Sequence, residues 1–410
     1  MLGLFGFLLS ACAGGGGIRP EAPPHWVASW GTAQLVPEGP NALPAAQWED
    51  ATLRQVVRAS LGGRQLRVRL SNVFGTEPLV IDGASIGLSG GAGQPGAAQL
   101  RGLRFGGSAA VSIPAGAEYL SDPVALDHTA GTDLAVSLHF AGAPARQSGH
   151  PGARATSFLV KGNRVLDADW PGAEKVTRWY QLAGVEVLAP AASHAVVAIG
   201  DSITDGYGAA PDSYGRWTDH LALRLRAAGI TDIGVVNAGI GGGRLLRDGL
   251  GPNLASRFER DVLARPGVSH AIVMIGVNDL GVQHREKQDT PAARARLLED
   301  MRQAQRQLVA RAHDAGVCVL GATISPYAAS GYYQPGPRNE LDRLAYNDWI
   351  RRSGVFDGVI DFDAALRDPA HPERLLATYD NDGLHPNMSG YKAMAEAVPL
   401  AQLKACALRP

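Results

Sequence analysis

The sequence predicts an α/β fold, a doubly wound parallel sheet, preceded by an all-β domain of sandwich or jelly-roll type. Two rhythms and the composition carry that expectation. Up to about residue 190, apolar and polar residues alternate in short runs, the period-2 mark of half-buried strands. From His194 onward, apolar runs alternate with helix-period segments, the pattern of strand–helix units around a parallel sheet. The 410 residues suit two or three domains at roughly 150 each. With 45% hydrophobic and 19% charged residues, the chain can bury sizeable cores.

The amino terminus reads as processing rather than fold. Residues 2–9 (LGLFGFLL) form one apolar run, followed by Ser10, Ala11 and Cys12. A bilayer-spanning helix needs about 20 apolar residues, so this run matches the core of a secretory signal instead. Leu9-Ser10-Ala11-Cys12 resembles the lipobox of bacterial lipoproteins, which implies a lipid-modified Cys12 after cleavage. Residues 1–12 are thus expected to be a lipoprotein-type signal peptide. Residues 13–25, with glycines at 14–17 and Pro20, Pro23 and Pro24, read as a flexible linker. An apolar segment docked on the domain is the alternative. Lipidation implies an exported, cell-envelope protein, and without it a secreted or periplasmic one.

The charge balance is 38 − 39 = −1. A nucleic-acid binder relying on phosphate neutralisation needs an excess of Lys and Arg, so that class is excluded. Three cysteines are too few for a disulfide scaffold or a zinc ribbon. Cys318, inside the apolar run 317–322, reads as a buried small hydrophobe. A bridge to Cys406 is the other option.

In the first domain, expected over 26–190, Leu66, Val68 and Leu70 alternate with Gln65, Arg67 and Arg69. Leu134, Val136, Leu138 and Phe140 repeat the pattern. In the second, expected over 194–405, strand-like runs lie at 195–199, 271–275, 317–320 and 358–360. Trp217, Leu221 and Leu225 recur at helical spacing before Gly229. Thr290 as N-cap and Pro291 at the first turn open the clearest helix, which Gly316 ends. Sites in such sheets gather at the carboxyl ends of the strands.

Four loops at that edge carry the chemistry. Gly200-Asp201-Ser202 follows the run AVVAI, and a serine on a strand-to-helix turn exposes its hydroxyl. Asn237-Ala238-Gly239-Ile240-Gly241 follows Val235-Val236. Its G-x-G is not completed, because position 244 is Arg, and no G-x-x-x-x-G-K-[ST] occurs, so a backbone donor to an oxyanion is favoured over a nucleotide site. Gly276-Val277-Asn278-Asp279 places an amide after the third strand. Asp382-Gly383-Leu384-His385 places a carboxylate three residues before an imidazole, where it can accept from Nδ1–H.

Together these loops resemble the four blocks of the SGNH hydrolase superfamily, the GDSL esterases and lipases. The resemblance covers roughly residues 194–405 and implies a flavodoxin-like three-layer fold. It implies Ser202 as nucleophile, His385 as general base and Asp382 as its orienter. Should Asp382 not fill that role, Asp380 is the next candidate. The oxyanion hole would be the N–H groups of Ser202 and Gly239 with the Asn278 amide. No metal or cofactor is implied. Trp26-Val27-Ala28-Ser29-Trp30, the strands over 52–72 and Ser121-Asp122-Pro123 resemble the β-domain that precedes the hydrolase in secreted bacterial members. The expected activity is hydrolysis of carboxylic esters, short acyl or acetyl esters on small molecules or glycans, through an acyl-enzyme. An O-acyltransferase acting on a polysaccharide, a lysophospholipase or lipase, and a catalytically idle surface binder are the alternatives. Arg244, Trp217 and Tyr327 are candidate pocket residues.

Overall fold

The computed structural model describes residues 22–406 and Leu408. The signal, Cys12 and residues 13–21 of the expected linker lie outside the described residues. The amino-terminal half forms two main antiparallel sheets. The first holds His25–Gly31, Leu182–Ala189, Gly63–Ser71 and Glu118–Leu120 in that order, with Val124–His128 also on Gly63–Ser71. The second runs Glu174–Val176, Ser157–Lys161, Ala51–Arg58, Asp133–Phe140, Gly83–Ser89 and Ala97–Gly102. Leu66, Val68 and Leu70 share one core with Leu53, Val57, Leu134 and Val136 of the other sheet. Each such side chain contributes about 1.5–3 kcal/mol of burial. On the opposite face, Arg67 and Arg69 ion-pair with Glu186 at 2.5 and 2.6 Å.

Strand Asp133–Phe140 departs from the half-buried pattern, since Ala135, Ser137 and His139 are buried as well. The cause is a cover on the outer face of its sheet. Arg54 lies against the Trp170 ring at 3.9 Å and donates to Ser137 Oγ (2.9 Å) and the Asp167 carbonyl (2.7 Å).

The carboxyl-terminal half is built on five parallel strands: β1 (His194–Gly200), β2 (Ile233–Gly239), β3 (Val268–Met274), β4 (Cys318–Ala322) and β5 (Gly358–Ile360). Their order is 2-1-3-4-5, so the winding reverses beside β1, where a crevice opens at the strands' carboxyl ends. Helices Trp217–Ala227, Phe362–Leu366 and Met388–Ala397 pack as one group. Leu254–Phe258, Val277–Arg285, Pro291–Asp314 and Pro337–Arg352 form the other. Thr290 Oγ1 accepts from Ala293 N–H (3.3 Å) at the start of Pro291–Asp314, and Gly316 follows its end at φ +74°.

Cys318 is not a free buried thiol. It forms a disulfide with Cys406, tying β4 to the carboxyl-terminal segment across 88 residues of sequence. Nothing local in the sequence marks two cysteines so far apart as neighbours.

The two halves share a core. Val27 and Ala28 of strand His25–Gly31 join the same apolar cluster as Val235 and Val236 of β2. The approach is so close that a Cβ on Gly234 would stand 2.3 Å from the Ala28 carbonyl oxygen. At the outer side of β2, the Val235 N–H donates to Ser60 Oγ (2.8 Å).

Candidate active site

Strand β1 delivers Ser202 to the crevice. Gly200 ends the strand where a Cβ would meet the Met274 carbonyl oxygen at 2.4 Å, so only glycine fits. Asp201 then caps the single turn Ser202–Asp205, its Oδ1 accepting from Ile203 N–H (2.9 Å). Burial, reinforced by the nearby Asp279 charge, pushes the Asp201 carboxyl up to about 7 despite that hydrogen bond. Beneath the turn, the buried Arg257 guanidinium donates to the Gly200 carbonyl (2.9 Å) and the Ala238 carbonyl (2.6 Å). Asp261 neutralises it at 2.9 Å. One cation thus ties together the ends of β1 and β2.

His385 comes from the segment between β5 and helix Met388–Ala397. Its Nε2 lies 2.8 Å from Ser202 Oγ, and its Nδ1 lies 2.9 Å from Asp382 Oδ2. Asp382 Oδ1 also accepts from the backbone N–H of His385 (2.8 Å) and of Leu384 (3.1 Å). Burial works against the Asp382 carboxylate, but these donors outweigh it and hold the carboxyl below its ordinary value. For His385, burial lowers the imidazole below 6.5, Asp382 opposes that shift, and the Arg154 cation adds to it. Asp380 is occupied elsewhere, accepting from Gly383 N–H (2.6 Å) in the same turn.

Asn278 opens helix Val277–Arg285. Its Nδ2 donates to the Gly243 carbonyl (2.7 Å) and its Oδ1 accepts from the Tyr333 hydroxyl (2.7 Å). The adjacent Asp279 accepts from the N–H groups of Leu245 (2.9 Å) and Leu246 (3.2 Å), and burial pushes its carboxyl up to about 6. These two side chains clamp the loop that follows β2.

Gly239 does not have the place expected of it. It is still in strand β2, its N–H donates to Asn237 Oδ1 (2.9 Å), and a Cβ there would stand 2.3 Å from the Asp205 amide nitrogen. Of the glycines at 239–243, Gly241 and Gly242 line the crevice. They are the centre of a turn closed by Gly243 N–H donating to the Ile240 carbonyl (2.9 Å), with Gly242 at φ +66°. The Asn278–Gly243 bond ties this turn to the Asn278 amide.

The crevice is a cleft of about 670 Å³ that Ser202, Asn278, Asp382 and His385 line together. Arg244 lines it too, but Trp217 and Tyr327 do not. Trp217 is wholly buried against Phe362, and Tyr327 is buried behind Tyr333. Three aromatic residues of the site carried no sequence signal: Tyr207, whose ring centre lies 4.2 Å from that of His385, and Tyr332 and Tyr333 on the loop after β4. The amino-terminal half reaches the site as well. His150 Nε2 meets Asp205 Oδ1 at 2.8 Å, Thr156 Oγ1 donates to Asp212 (2.6 Å), and Arg154 lies 5.2 Å from the Tyr207 ring centre. Among the described residues, no group of three His, Cys, Asp or Glu side chains could hold a metal ion.

Residues 198–393 match the GDSL-like lipase/acylhydrolase family. Among solved structures, the chain is similar to an acetylxylan esterase from Geobacillus stearothermophilus at 21% identity, covering 52% of this chain and 93% of that one, with a TM-score of 0.38. It is similar also to a GDSL-like lipase from Bacteroides thetaiotaomicron VPI-5482 at 16% identity, 51% of this chain, 87% of that one and a TM-score of 0.37. No curated protein matches the chain. By the family match, residues 198–393 are a GDSL-like lipase/acylhydrolase domain, and the protein is a carboxylic ester hydrolase.

Proposed function

We propose that the protein hydrolyses short acyl esters, including acetyl esters on glycans, through an acyl-enzyme on Ser202. The observation that carries this reading is the hydrogen-bonded run from Ser202 Oγ through His385 to Asp382, at 2.8 and 2.9 Å, at the floor of an open cleft. Ser202 Oγ attacks the ester carbonyl carbon while its proton passes to His385 Nε2. Asp382 holds the imidazole by its Nδ1–H and stabilises the imidazolium. The carbonyl oxygen, now an oxyanion, is held by the N–H groups of Ser202 and Gly242 and by the free N–H of the Asn278 amide. Collapse breaks the bond to the alcohol, which leaves with the proton from His385. Water then gives a proton to His385 and attacks the acyl carbon; collapse frees the acid, and His385 returns the proton to Ser202 Oγ. Gly242 replaces Gly239 in this reading because the Gly239 N–H is already bound to Asn237.

Ser202→Ala should lower turnover on the order of a millionfold while the protein stays folded. Labelling by a fluorophosphonate should disappear with it. An active Ser202→Ala variant would end the proposal. Assay of acetylated xylan against a chain-length series of simple esters reads the acyl preference, and product analysis with an added sugar acceptor separates hydrolysis from acyl transfer.

We propose further that the protein is exported and held to the envelope through Cys12, with the β-rich region 26–190 and the hydrolase region 194–405 outside the cytoplasm. The Cys318–Cys406 disulfide supports an oxidising compartment. Cys12→Ser should move the activity from the membrane pellet to the soluble fraction; activity that stays in the pellet counts against the anchor.

A further inference from the structure

Asn278 is asked to do two things at once. It must point one N–H at the developing oxyanion, and it must do so without reorganising when the charge appears. A carboxamide has two donors on nitrogen and one acceptor oxygen, and its two ends can exchange by a half-turn. One N–H of Asn278 is spent on the Gly243 carbonyl (2.7 Å). A half-turn would bring Oδ1 against that carbonyl oxygen, two acceptors face to face. The acceptor end is buried, with the residue 3% exposed, and its partner is the Tyr333 hydroxyl at 2.7 Å. Only the second N–H is left, and Asn278 lines the cleft.

We infer that Tyr333 is a positioning residue for ester hydrolysis, its hydroxyl fixing and polarising the Asn278 amide that receives the oxyanion. The inference rests on the acyl-transfer reading above. Donation into Oδ1 draws electron density from the amide nitrogen and makes the remaining N–H a stronger donor, the cooperative effect expected of a hydrogen-bond chain in a low-dielectric site. The phenol is suited to the task. Burial keeps it well above its ordinary titration range, so it remains a donor at any working pH. Its ring is fixed by close packing on helix Val277–Arg285, where a Cβ on Gly281 would stand 2.5 Å from it, and by an edge contact with Tyr332 at 4.8 Å. The Tyr333 backbone N–H bonds Ser330 Oγ (3.2 Å). The same helix therefore carries the amide and the surface on which its partner rests.

The test is a double-mutant cycle on the full chain, read in kcat and KM separately. Tyr333→Phe keeps the ring and its packing and removes only the hydroxyl. It should lower kcat about tenfold and leave KM within about twofold, the size of one lost hydrogen bond to a buried acceptor. In an Asn278→Ala background, itself lower by about a hundredfold or more, the same change should cost less than about twofold, because the amide it serves is gone. An unchanged kcat in Tyr333→Phe, a change in KM alone, or a full tenfold loss repeated on Asn278→Ala would each overturn the inference. The side-chain ¹⁵N resonance of Asn278 gives a second reading independent of turnover, and it should move in Tyr333→Phe. A resonance that stays put counts against the contact. These outcomes differ from failure of the underlying reading, which would appear as wild-type turnover in Ser202→Ala or Asn278→Ala.

Discussion

His385 stands between opposing influences. Burial and the Arg154 cation favour the neutral ring, while Asp382 favours the charged one, and the balance lies below 6.5. In the proposed mechanism the residue must be neutral to accept the Ser202 proton. Lowering pH through its titration removes the base, so kcat/KM should fall on the acid side with a midpoint below 6.5 rather than above it. A pH–rate profile on a soluble ester checks this, and an acid limb centred above that value would contradict it. The sequence set Ser202, Asn278, Asp382 and His385 apart because each sits in a short motif directly beside a strand or helix end, and the fold brings them to one cleft. Tyr207 and Tyr333 did not stand out, since their places in the cleft depend on loops that meet only after folding.

Among the elements, the loop after β2 shows the limit of reading spacing alone. The sequence offers glycines at 239, 241, 242 and 243, and any of their amides could serve an oxyanion. Which one faces the cleft depends on Asn237, whose side chain takes the Gly239 N–H, and on where the strand gives way to the turn. The two positions should respond differently to alanine. At Gly239 the added Cβ strikes backbone of the Ser202–Asp205 turn, so the variant should fail to accumulate as folded protein. At Gly242 the nearest atom is the far end of the exposed Leu250 side chain at 3.0 Å, and the main cost is the φ of +66°, about 1–2 kcal/mol. Gly242→Ala should therefore fold, with turnover reduced by about tenfold or more as the N–H shifts. Thermal melts and steady-state rates on the pair check this; a folded, inactive Gly239→Ala beside a fully active Gly242→Ala would restore the original assignment. The parallel strands themselves were readable as continuous apolar runs, because both of their faces are covered. The Cys318–Cys406 bond was not, although closing so long a loop stabilises by about 2–4 kcal/mol.

Across the whole molecule, the change of rhythm near residue 190 marks a change of sheet but not a break in packing. Strand His25–Gly31 is antiparallel with Leu182–Ala189 and lies on β2 through Val27 and Ala28. The segment from His150 to Thr156 is bonded to the loops that follow Ser202. A chain beginning at Ser193 should thus lose more than a neighbour: apolar residues of the common cluster become exposed, and the loop carrying Tyr207 loses its supports. Such a chain should show little esterase activity and poor solubility compared with one beginning at Pro23. A soluble, fully active shortened chain would show that the regions are independent.

The Ser60 hydroxyl at the outer side of β2 has a consequence for that shortened chain beyond lost support. An open strand margin is a template on which another chain can add its own strand. The bond from Val235 N–H to Ser60 occupies part of that margin, within the surface that strand His25–Gly31 covers. Stripped of both, the parallel sheet would offer its margin to identical copies, and the expected product is edge-to-edge polymer rather than amorphous precipitate. In that sense the β-rich half would keep the hydrolase region from polymerising.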